Sequence, residues 1–334
     1  MIRTPAVRLP FVDYFMPCPS LKKGLKKFLK EKNFTAFHAH SPFAMGKYAL
    51  KMGRKLGVPV IATFHRRYSE DVSGFGRNKL FARMLSNSMV KFYCHADEVW
   101  TSGRSTAELL KSYGYRGEIH IVGSGTDYIG EYVPDSRVRE LREELGIDEN
   151  KKVLLFVGSL SWQNHLKLLL ETVGELKSRS DQFVLLIAGQ GRNEKQIKVL
   201  AERLGLLDSV RFLGQINNRS KLLSLFAAAD LFVYPSVAEE APAVVREAAA
   251  LCLPSMLATT AGAAECVSDG INGYTAENDS CHMAERIVSI FQKGDMKTVG
   301  EAARDTLPVS WEEIVREVAD RYRKASKARA RSAR

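Results

Sequence analysis

Two glutamates with seven residues between them are the side chains of this sequence with the clearest chemical potential. Glu239 and Glu247 lie in PSVAEEAPAVVREAAALCLP, residues 235–254. The apolar run DLFVY comes just before this segment and predicts a strand, so we expect Glu239 in the loop that follows the strand and Glu247 in the next helix. Carboxylates in that place can accept hydrogen bonds from sugar or ribose hydroxyls. Composition alone favours a simpler interpretation, two solvated glutamates in a surface loop.

The predicted start of that helix adds an element that can bind an anion. Near Ala243 and Val244, free backbone N–H groups and the positive end of the helix dipole would face a ligand phosphate. In a doubly wound sheet, ligands bind beyond the carboxyl ends of the strands, where this helix begins. The segment therefore predicts a phosphate site beside the two glutamates.

Histidines form the second group of candidate residues. His65 ends the apolar run VPVIATFH, at the end of a predicted strand. A neutral imidazole there can hydrogen-bond a hydroxyl and pass a proton near neutral pH. A histidine at a strand end is more often structural, and His38 and His40 are weaker candidates that fit buried or cleft-wall positions.

Apolar periodicity predicts the elements that must position these residues. From Phe34 onward, short β-rich runs alternate with longer amphipathic stretches of helix length. That alternation predicts βα units and parallel sheets, and hence an α/β fold. The runs are FTAFHAH, VPVIATFH, DEVWTS and EIHIVG, followed by KVLLFVG, FVLLIAG, SVRFLG, DLFVYP and PSMLAT.

A polar stretch separates these runs into two groups. Residues 128–150 are polar, contain Pro134 and precede the run KVLLFVG. Exposed polar segments of this kind mark domain boundaries. We therefore predict one α/β domain over residues 1–145, a second over residues 146–305, and a C-terminal helix with a basic tail over residues 306–334.

The last helix carries its own start signal. Ser310 precedes WEEIVREVADRYRK, and Glu313 stands three residues after it. This is the spacing of a capping box, in which each residue bonds the other's backbone N–H. The apolar residues that follow recur at helical spacing, so the helix is predicted to begin directly after Ser310.

The composition excludes several classes of protein. With 45% hydrophobic and 26% charged residues, the 334-residue chain is globular rather than disordered. No apolar run approaches the roughly 18 residues of a membrane span, and the first residues lack the apolar core of a signal peptide. The five cysteines are scattered without a CxxC pair, which indicates neither a disulfide framework nor a zinc site. We therefore expect a cytoplasmic protein with no metal site.

The net charge of +11 is distributed unevenly along the chain. Residues 1–145 carry 24 Lys and Arg against 14 Asp and Glu, whereas residues 146–320 carry 18 against 24. The last fourteen residues add seven basic residues and no acidic one. This asymmetry indicates that the first half and the tail face an anionic partner.

One basic segment favours a membrane surface as that partner. In LKKGLKKFLKEK, residues 21–32, the apolar residues form one helical stripe and six lysines occupy the rest. We expect the stripe to pack on the sheet and the lysines to attract anionic lipid headgroups on the inner face of the membrane. Nucleic acid is not expected, because no nucleic-acid-binding motif accompanies the charge and the basic segments are separated in sequence.

The glutamate pair resembles the paired-glutamate motif of the retaining family 4 glycosyltransferases, which have the GT-B architecture of two facing Rossmann-like domains. Further segments fall in the same order as in that family, and the resemblance covers about residues 30–325. HAHSPFAMG and ATFHRRYSED are most similar to the bacterial diacylglycerol glucosyltransferase-like branch. The other segments are IHIVGSGTD (119–127), VLLFVGSLSW (153–162), VRFLGQI (210–216), AAADLFVYPS (227–236), AECVSDGINGYTAEND (264–279) and SWEEIVREVADRY (310–322).

The resemblance implies transfer of a hexose, with retention, from a nucleotide-diphosphate sugar such as UDP-glucose to a lipid acceptor such as diacylglycerol. It implies no obligatory metal and no further cofactor. Glu239 would hold the hydroxyls of the donor sugar and Glu247 those of the ribose, and His65 would lie at the domain cleft beside the sugar. Gly158, Ser159, Asn164, Ala243 and Val244 would complete the donor site. The helix from residue 310 to 324 would cross back to join the two halves.

The sequence departs from the family pattern where phosphate is held. The family usually places an Arg after VLLFVG and a Lys five residues later, but here these positions are Ser159 and Asn164. Charge-assisted hydrogen bonds to phosphate contribute roughly 1.5 to 3 kcal/mol each, so losing both would weaken donor binding by orders of magnitude. Pro242 and Cys252 stand where the family has glycines.

The beginning of the chain departs further. Only about 33 residues precede the first predicted strand of the parallel sheet, and no glycine-rich turn occurs among them. We therefore expect the N-terminal Rossmann-like domain to be incomplete at its start. Together with the altered clamp, this supports an alternative function, a catalytically silent relative that acts as a binding or scaffold protein.

Overall fold

The computed structural model describes residues 2–8, 15–65, 79–236 and 243–332. The chain divides into two compact units, residues 1–123 with 314–334 and residues 124–313. In the described ranges, no helix is both long and apolar enough to cross a membrane.

The first unit contains a four-stranded parallel sheet. Its strands lie in the order β3-β4-β5-β6, so the described sheet winds in one direction, and β1 and β2 pair separately as an antiparallel ribbon. All five residues of β4 are buried, as expected for a parallel strand covered on both faces. The strands are β1 (Ala6–Arg8), β2 (Phe15–Pro17), β3 (Phe37–Ala39), β4 (Val60–Phe64), β5 (Glu98–Thr101) and β6 (His120–Ile121), and the helices are α1 (Leu25–Glu31), α2 (Ala44–Leu56), α3 (Lys79–Tyr93) and α4 (Arg104–Ser112).

The second unit contains a six-stranded parallel sheet with the order β12-β11-β10-β7-β8-β9. The chain winds outward from β7 through β8 to β9, and then returns to the other side of β7 with β10. This is the order of a doubly wound nucleotide-binding sheet, with its switch point between β7 and β10. The strands are β7 (Lys152–Val157), β8 (Phe183–Ala188), β9 (Val210–Gly214), β10 (Leu231–Tyr234), β11 (Ser255–Ala258) and β12 (Tyr274–Ala276).

Helices of the second unit cover the apolar faces of this sheet. Strands β8, β10 and β11 are buried along their whole length and form one core with the surrounding helices. The helices are α5 (Asp135–Glu144), α6 (Leu166–Lys177), α7 (Glu194–Arg203), α8 (Arg219–Ala228), α9 (Ala243–Ala250), α10 (Ser280–Lys293) and α11 (Met296–Thr306). The predicted α/β class with parallel sheets is confirmed.

The division between the units falls earlier than the predicted boundary at residue 145. Helix α5 belongs to the second unit, where it packs on α8. Arg142 of α5 donates to the Asp230 carboxylate at 3.2 Å, and Lys221 of α8 pairs with Glu144 at 2.8 Å. Leu141 of α5 is also buried in the core of the second unit, so this largely polar helix is part of that unit and does not mark its boundary.

The last helix, α12 (Trp311–Ser332), begins where the sequence predicts. The Ser310 backbone N–H donates to the Glu313 carboxylate and the Glu313 N–H donates to the Ser310 hydroxyl, both at 3.1 Å, which confirms the capping box. Residues up to Glu313 belong to the second unit and the rest of the helix to the first. Within the first unit, Ala325 packs with Ile61 and Trp100.

Candidate functional site

The carboxyl ends of β7, β8 and β9 form a pocket in the second unit. Its volume is about 260 Å³. It lies next to the switch point between β7 and β10, where ligands bind in doubly wound sheets. The lining residues are Val157, Gly158, Ser159, Ala188, Gly189, Gln190, Gln215, Ile216 and Leu222.

Glycines let the loops of this pocket approach one another. Gly189 has φ +144°, and a Cβ there would lie 1.9 Å from the Gly158 carbonyl oxygen. A Cβ on Gly191 would lie 2.5 Å from the Leu160 carbonyl oxygen. The loops after β7 and β8 therefore pack backbone against backbone, which places the predicted donor residue Gly158 on the pocket wall.

The two positions of the expected phosphate clamp have different surroundings. Ser159 is exposed and lines the pocket. The Asn164 side chain is only 5% exposed, and its amide donates to the Ser159 carbonyl oxygen at 2.7 Å. Asn164 was predicted to bind the donor, but its amide is used to hold the loop that carries Ser159.

Glu247 lies in the second turn of α9, which begins at Ala243 directly after the switch point. Burial raises the pKa of its carboxyl, the charge of Asp127 raises it further, and the charge of Arg219 lowers it. Ala243 and Val244 occupy the first turn of α9, as predicted. Glu239 and Pro242 lie outside the described residues.

Arg219 is a neighbour of Glu247 that the sequence did not reveal. Its guanidinium donates to the Asp127 carbonyl oxygen at 2.7 Å and to the Glu131 carboxylate at 3.0 Å. It also lies 4.9 Å from the centre of the Tyr128 ring. Arg219 therefore holds the segment that follows β6 close to Glu247 of α9. No sequence signal marks Arg219, because its partners lie about ninety residues earlier in the chain.

The three histidines singled out in the sequence lie together in the first unit. The two ring nitrogens of His38 bond the Tyr322 hydroxyl at 2.6 Å and the Thr63 hydroxyl at 2.7 Å. His40 Nδ1 lies 3.1 Å from His65 Nε2, and the His38 and His40 rings are 4.2 Å apart.

This packing keeps the imidazoles neutral. Burial, with smaller effects from the charges of His40 and His65, lowers the pKa of His38 to about 4. Burial also lowers the pKa of His40 and of His65. A neutral His65 can accept or donate a hydrogen bond at neutral pH. Both ring nitrogens of His38 are hydrogen-bonded within the protein, which agrees with the sequence-based view of His38 as a weaker candidate than His65 for binding a substrate.

Two protein-family models match the chain. Residues 137–306 match the model of the glycosyl transferases group 1, and residues 1–128 match that of glycosyltransferase family 4. The first match covers half of the chain and contains the pocket, Arg219 and Glu247.

Curated relatives include an alpha-monoglucosyldiacylglycerol synthase of Streptococcus pneumoniae, 26% identical over 70% of this chain. A GDP-mannose-dependent alpha-mannosyltransferase of Corynebacterium glutamicum is also 26% identical, over 82% of this chain. The matched regions span 55% and 62% of those two proteins.

Solved structures share the fold of this chain. HepE of Anabaena, in complex with UDP and glucose, superposes with a TM-score of 0.74 over 89% of this chain and 79% of its own, at 19% identity. A sucrose-phosphate synthase of Thermosynechococcus elongatus superposes with a TM-score of 0.72 over 91% of this chain and 76% of its own, at 20% identity.

Proposed function

Because the chain belongs to the glycosyl transferases group 1 and has the α/β GT-B fold, we propose that it transfers glucose from UDP-glucose to a lipid acceptor such as diacylglycerol, with retention of the anomeric configuration. The donor would bind the second unit, at the carboxyl edge of its six-stranded sheet. The basic first unit would bind the acceptor at an anionic membrane surface, on the inner face of the membrane.

The arrangement at the switch point carries this proposal. The pocket beside Gly158 and the first turn of α9 lie on the same edge of the sheet, because parallel strands all end there. A diphosphate on this edge would receive N–H groups and the positive dipole of α9 at Ala243 and Val244. Glu247, one turn further along α9, supplies the carboxylate for the ribose hydroxyls.

Glu239 and His65 would act on the sugar itself. Glu239 would accept hydrogen bonds from the sugar hydroxyls, and neutral His65 would hydrogen-bond a further hydroxyl. Transition-state stabilisation would come from hydrogen bonds and the helix dipole directed at the leaving diphosphate, a mechanism that requires no obligatory metal.

The relatives support the choice of donor and acceptor. HepE of Anabaena has been solved with UDP and glucose, and the Streptococcus protein is a glycolipid synthase by name. The mannosyltransferase shows that similar chains are named for a different donor, so GDP-mannose is the competing substrate to include in any assay.

Glu247→Gln tests the donor site. Loss of a charged acceptor for the ribose should weaken UDP binding about tenfold to a hundredfold, since hydrogen bonds to charged groups contribute roughly 1.5 to 3 kcal/mol. Calorimetric titration of UDP measures the change. Glu301→Gln is the matched control, because Glu301 is an exposed helical glutamate in the same unit. Equal UDP affinity in both variants contradicts the site.

The buried Asn164 favours a second candidate function. With Ser159 and Asn164 at the clamp positions, the described part of the pocket offers the diphosphate neither of the family's two cations. A catalytically silent relative that binds a nucleotide or a protein as a scaffold would tolerate this change. Measurable UDP binding without release of glucose from UDP-glucose would support this second candidate.

A further inference from the structure

A groove with strong positive charge lies between α2 and α3 of the first unit. Its volume is about 550 Å³. Five lysines or arginines and one histidine line it, together with Leu50, Ser88 and Phe92, and no carboxylate does. The basic residues are Lys47, Lys51, Arg54, Lys55, Lys91 and His95.

Helical spacing places these cations on facing surfaces. On α2 they recur every three or four residues from Lys47 to Lys55, so they share one face. On α3, Ser88 and Lys91 are three residues apart, and His95 follows four residues later. The floor between them is apolar, because the buried Phe92 ring packs against Gly46, where a Cβ would lie 2.8 Å from the ring.

Within the part of the chain that the structure describes, the five lysines and arginines of the groove have no acidic partner. None of the five forms an ion pair there, and Lys47 donates a hydrogen bond to the Ser88 hydroxyl at 3.4 Å. Lysines elsewhere on the surface do pair, such as Lys177 with Asp208 at 2.7 Å and Lys198 with Glu194 at 2.8 Å. Unpaired like charges repel one another, so an anion bound in the groove would relieve a cost that the free protein bears.

We propose that this groove binds the phosphate headgroups of an anionic bilayer. The proposal deepens the proposed function, since it rests on a lipid acceptor, and it locates membrane attachment on α2 and α3 rather than on the lysines of residues 21–32. Four of the five cations are lysines, which act as mobile, hydrated point charges suited to a layer of headgroups. None of the lining residues is among the first three residues of α2 or α3, whose backbone N–H groups are free to bind a phosphate. The lining therefore does not include the helix N-terminus that a fixed phosphate site would use.

Vesicle sedimentation with two charge-matched triple variants tests the groove. One variant carries Lys51→Gln, Lys55→Gln and Lys91→Gln, and the other carries Lys26→Gln, Lys27→Gln and Lys30→Gln on α1. Vesicles contain phosphatidylcholine with or without phosphatidylglycerol. The groove variant should bind the anionic vesicles about a hundredfold more weakly than the parent, and the α1 variant less than tenfold more weakly.

Three outcomes overturn the proposal. Equal losses in the two variants would show that net charge alone matters, and unchanged binding of the groove variant would place attachment elsewhere. The third outcome is tight binding of inositol hexakisphosphate to the parent in calorimetry, together with equal binding of vesicles to the parent and the groove variant. That result would assign the groove to a soluble polyanion. UDP titration in the same variants shows that the second unit is intact, so failure here is distinct from failure of the donor site.

Discussion

One departure from the family pattern falls at a residue with an unusual backbone conformation. Cys252, which stands where the family has a glycine, has φ +59°. Cys252 lies in the turn that ends α9. Its N–H donates to the Ala249 carbonyl oxygen at 2.9 Å, and the N–H of Leu253 donates to the Ala248 carbonyl oxygen at 3.0 Å. A side chain in this left-handed conformation costs about 1 to 2 kcal/mol.

Cys252→Gly should therefore stabilise the protein by about 0.5 to 1 kcal/mol, once the greater freedom of glycine in the unfolded chain is subtracted. The midpoint of urea-induced unfolding measures the change. Cys281→Gly is the control of opposite sign, because Cys281 lies in the first turn of α10, where glycine weakens the helix. A lower midpoint for Cys252→Gly would show that the cysteine is not strained.

The histidine cluster gives a second prediction at this scale. His38 is held neutral by burial and by its neighbours His40 and His65, with a folded pKa of about 4 against 6.5 for the unfolded chain. Between these values the unfolded chain binds more protons, so stability is retained above pH 6.5 and falls as the pH is lowered towards 4. His38→Asn should make the stability less dependent on pH between 6.5 and 5, measured by urea unfolding. Exposed His95→Asn serves as control, and an unchanged slope for His38→Asn would contradict this assignment.

At the scale of elements, the loop between β7 and α6 contains the two positions at which the family pattern has cations. Ser159 is exposed on the pocket wall, whereas Asn164 is buried and bonds the loop. From the sequence, both positions look suitable for restoring a cation. The structure separates them, because a lysine at position 164 would lose the bond to the Ser159 carbonyl oxygen and bury its charge.

Ser159→Arg should tighten UDP binding at least tenfold, since one charge-assisted bond contributes roughly 1.5 kcal/mol or more. Asn164→Lys should instead destabilise the protein by about 1 to 3 kcal/mol. Calorimetry measures the affinity and thermal unfolding the stability. Ser178→Arg adds the same charge after the far end of α6 and should leave UDP affinity unchanged. If Ser159→Arg binds UDP no better than the parent, the diphosphate lies elsewhere.

The elements that could be predicted from the sequence are those whose residues follow their own periodicity. Strands such as β4 and β8 are buried on both faces, so their continuous apolar runs mark them clearly. The ribbon of β1 and β2 could not be predicted, because its three-residue strands are defined by backbone pairing rather than by a pattern. The sequence predicts a domain boundary over residues 128–150 because they are mostly polar, whereas the packing of Leu141 of α5 in the core of the second unit becomes visible only in the structure.

In the candidate site, the contacts that could not be predicted from the sequence are those between residues far apart in the chain. The sequence predicts Glu247 in the helix after the strand DLFVY, and the structure has it in α9, because a short local pattern of strand, loop and helix is enough to place it. Arg219 and the bond between His38 and Tyr322, which are 284 residues apart, arise only when the chain is folded.

For the whole molecule, we propose transfer of glucose from UDP-glucose to a lipid. The most direct test is one transfer reaction with UDP-glucose labelled at the anomeric carbon and diacylglycerol in anionic vesicles, followed by NMR of the extracted lipid. We expect a glucosylated lipid with the α-configuration of the donor, formed in a smaller amount by Glu247→Gln and in an unchanged amount by Glu301→Gln. A β-linked product, or no labelled lipid while UDP binds normally, would contradict it.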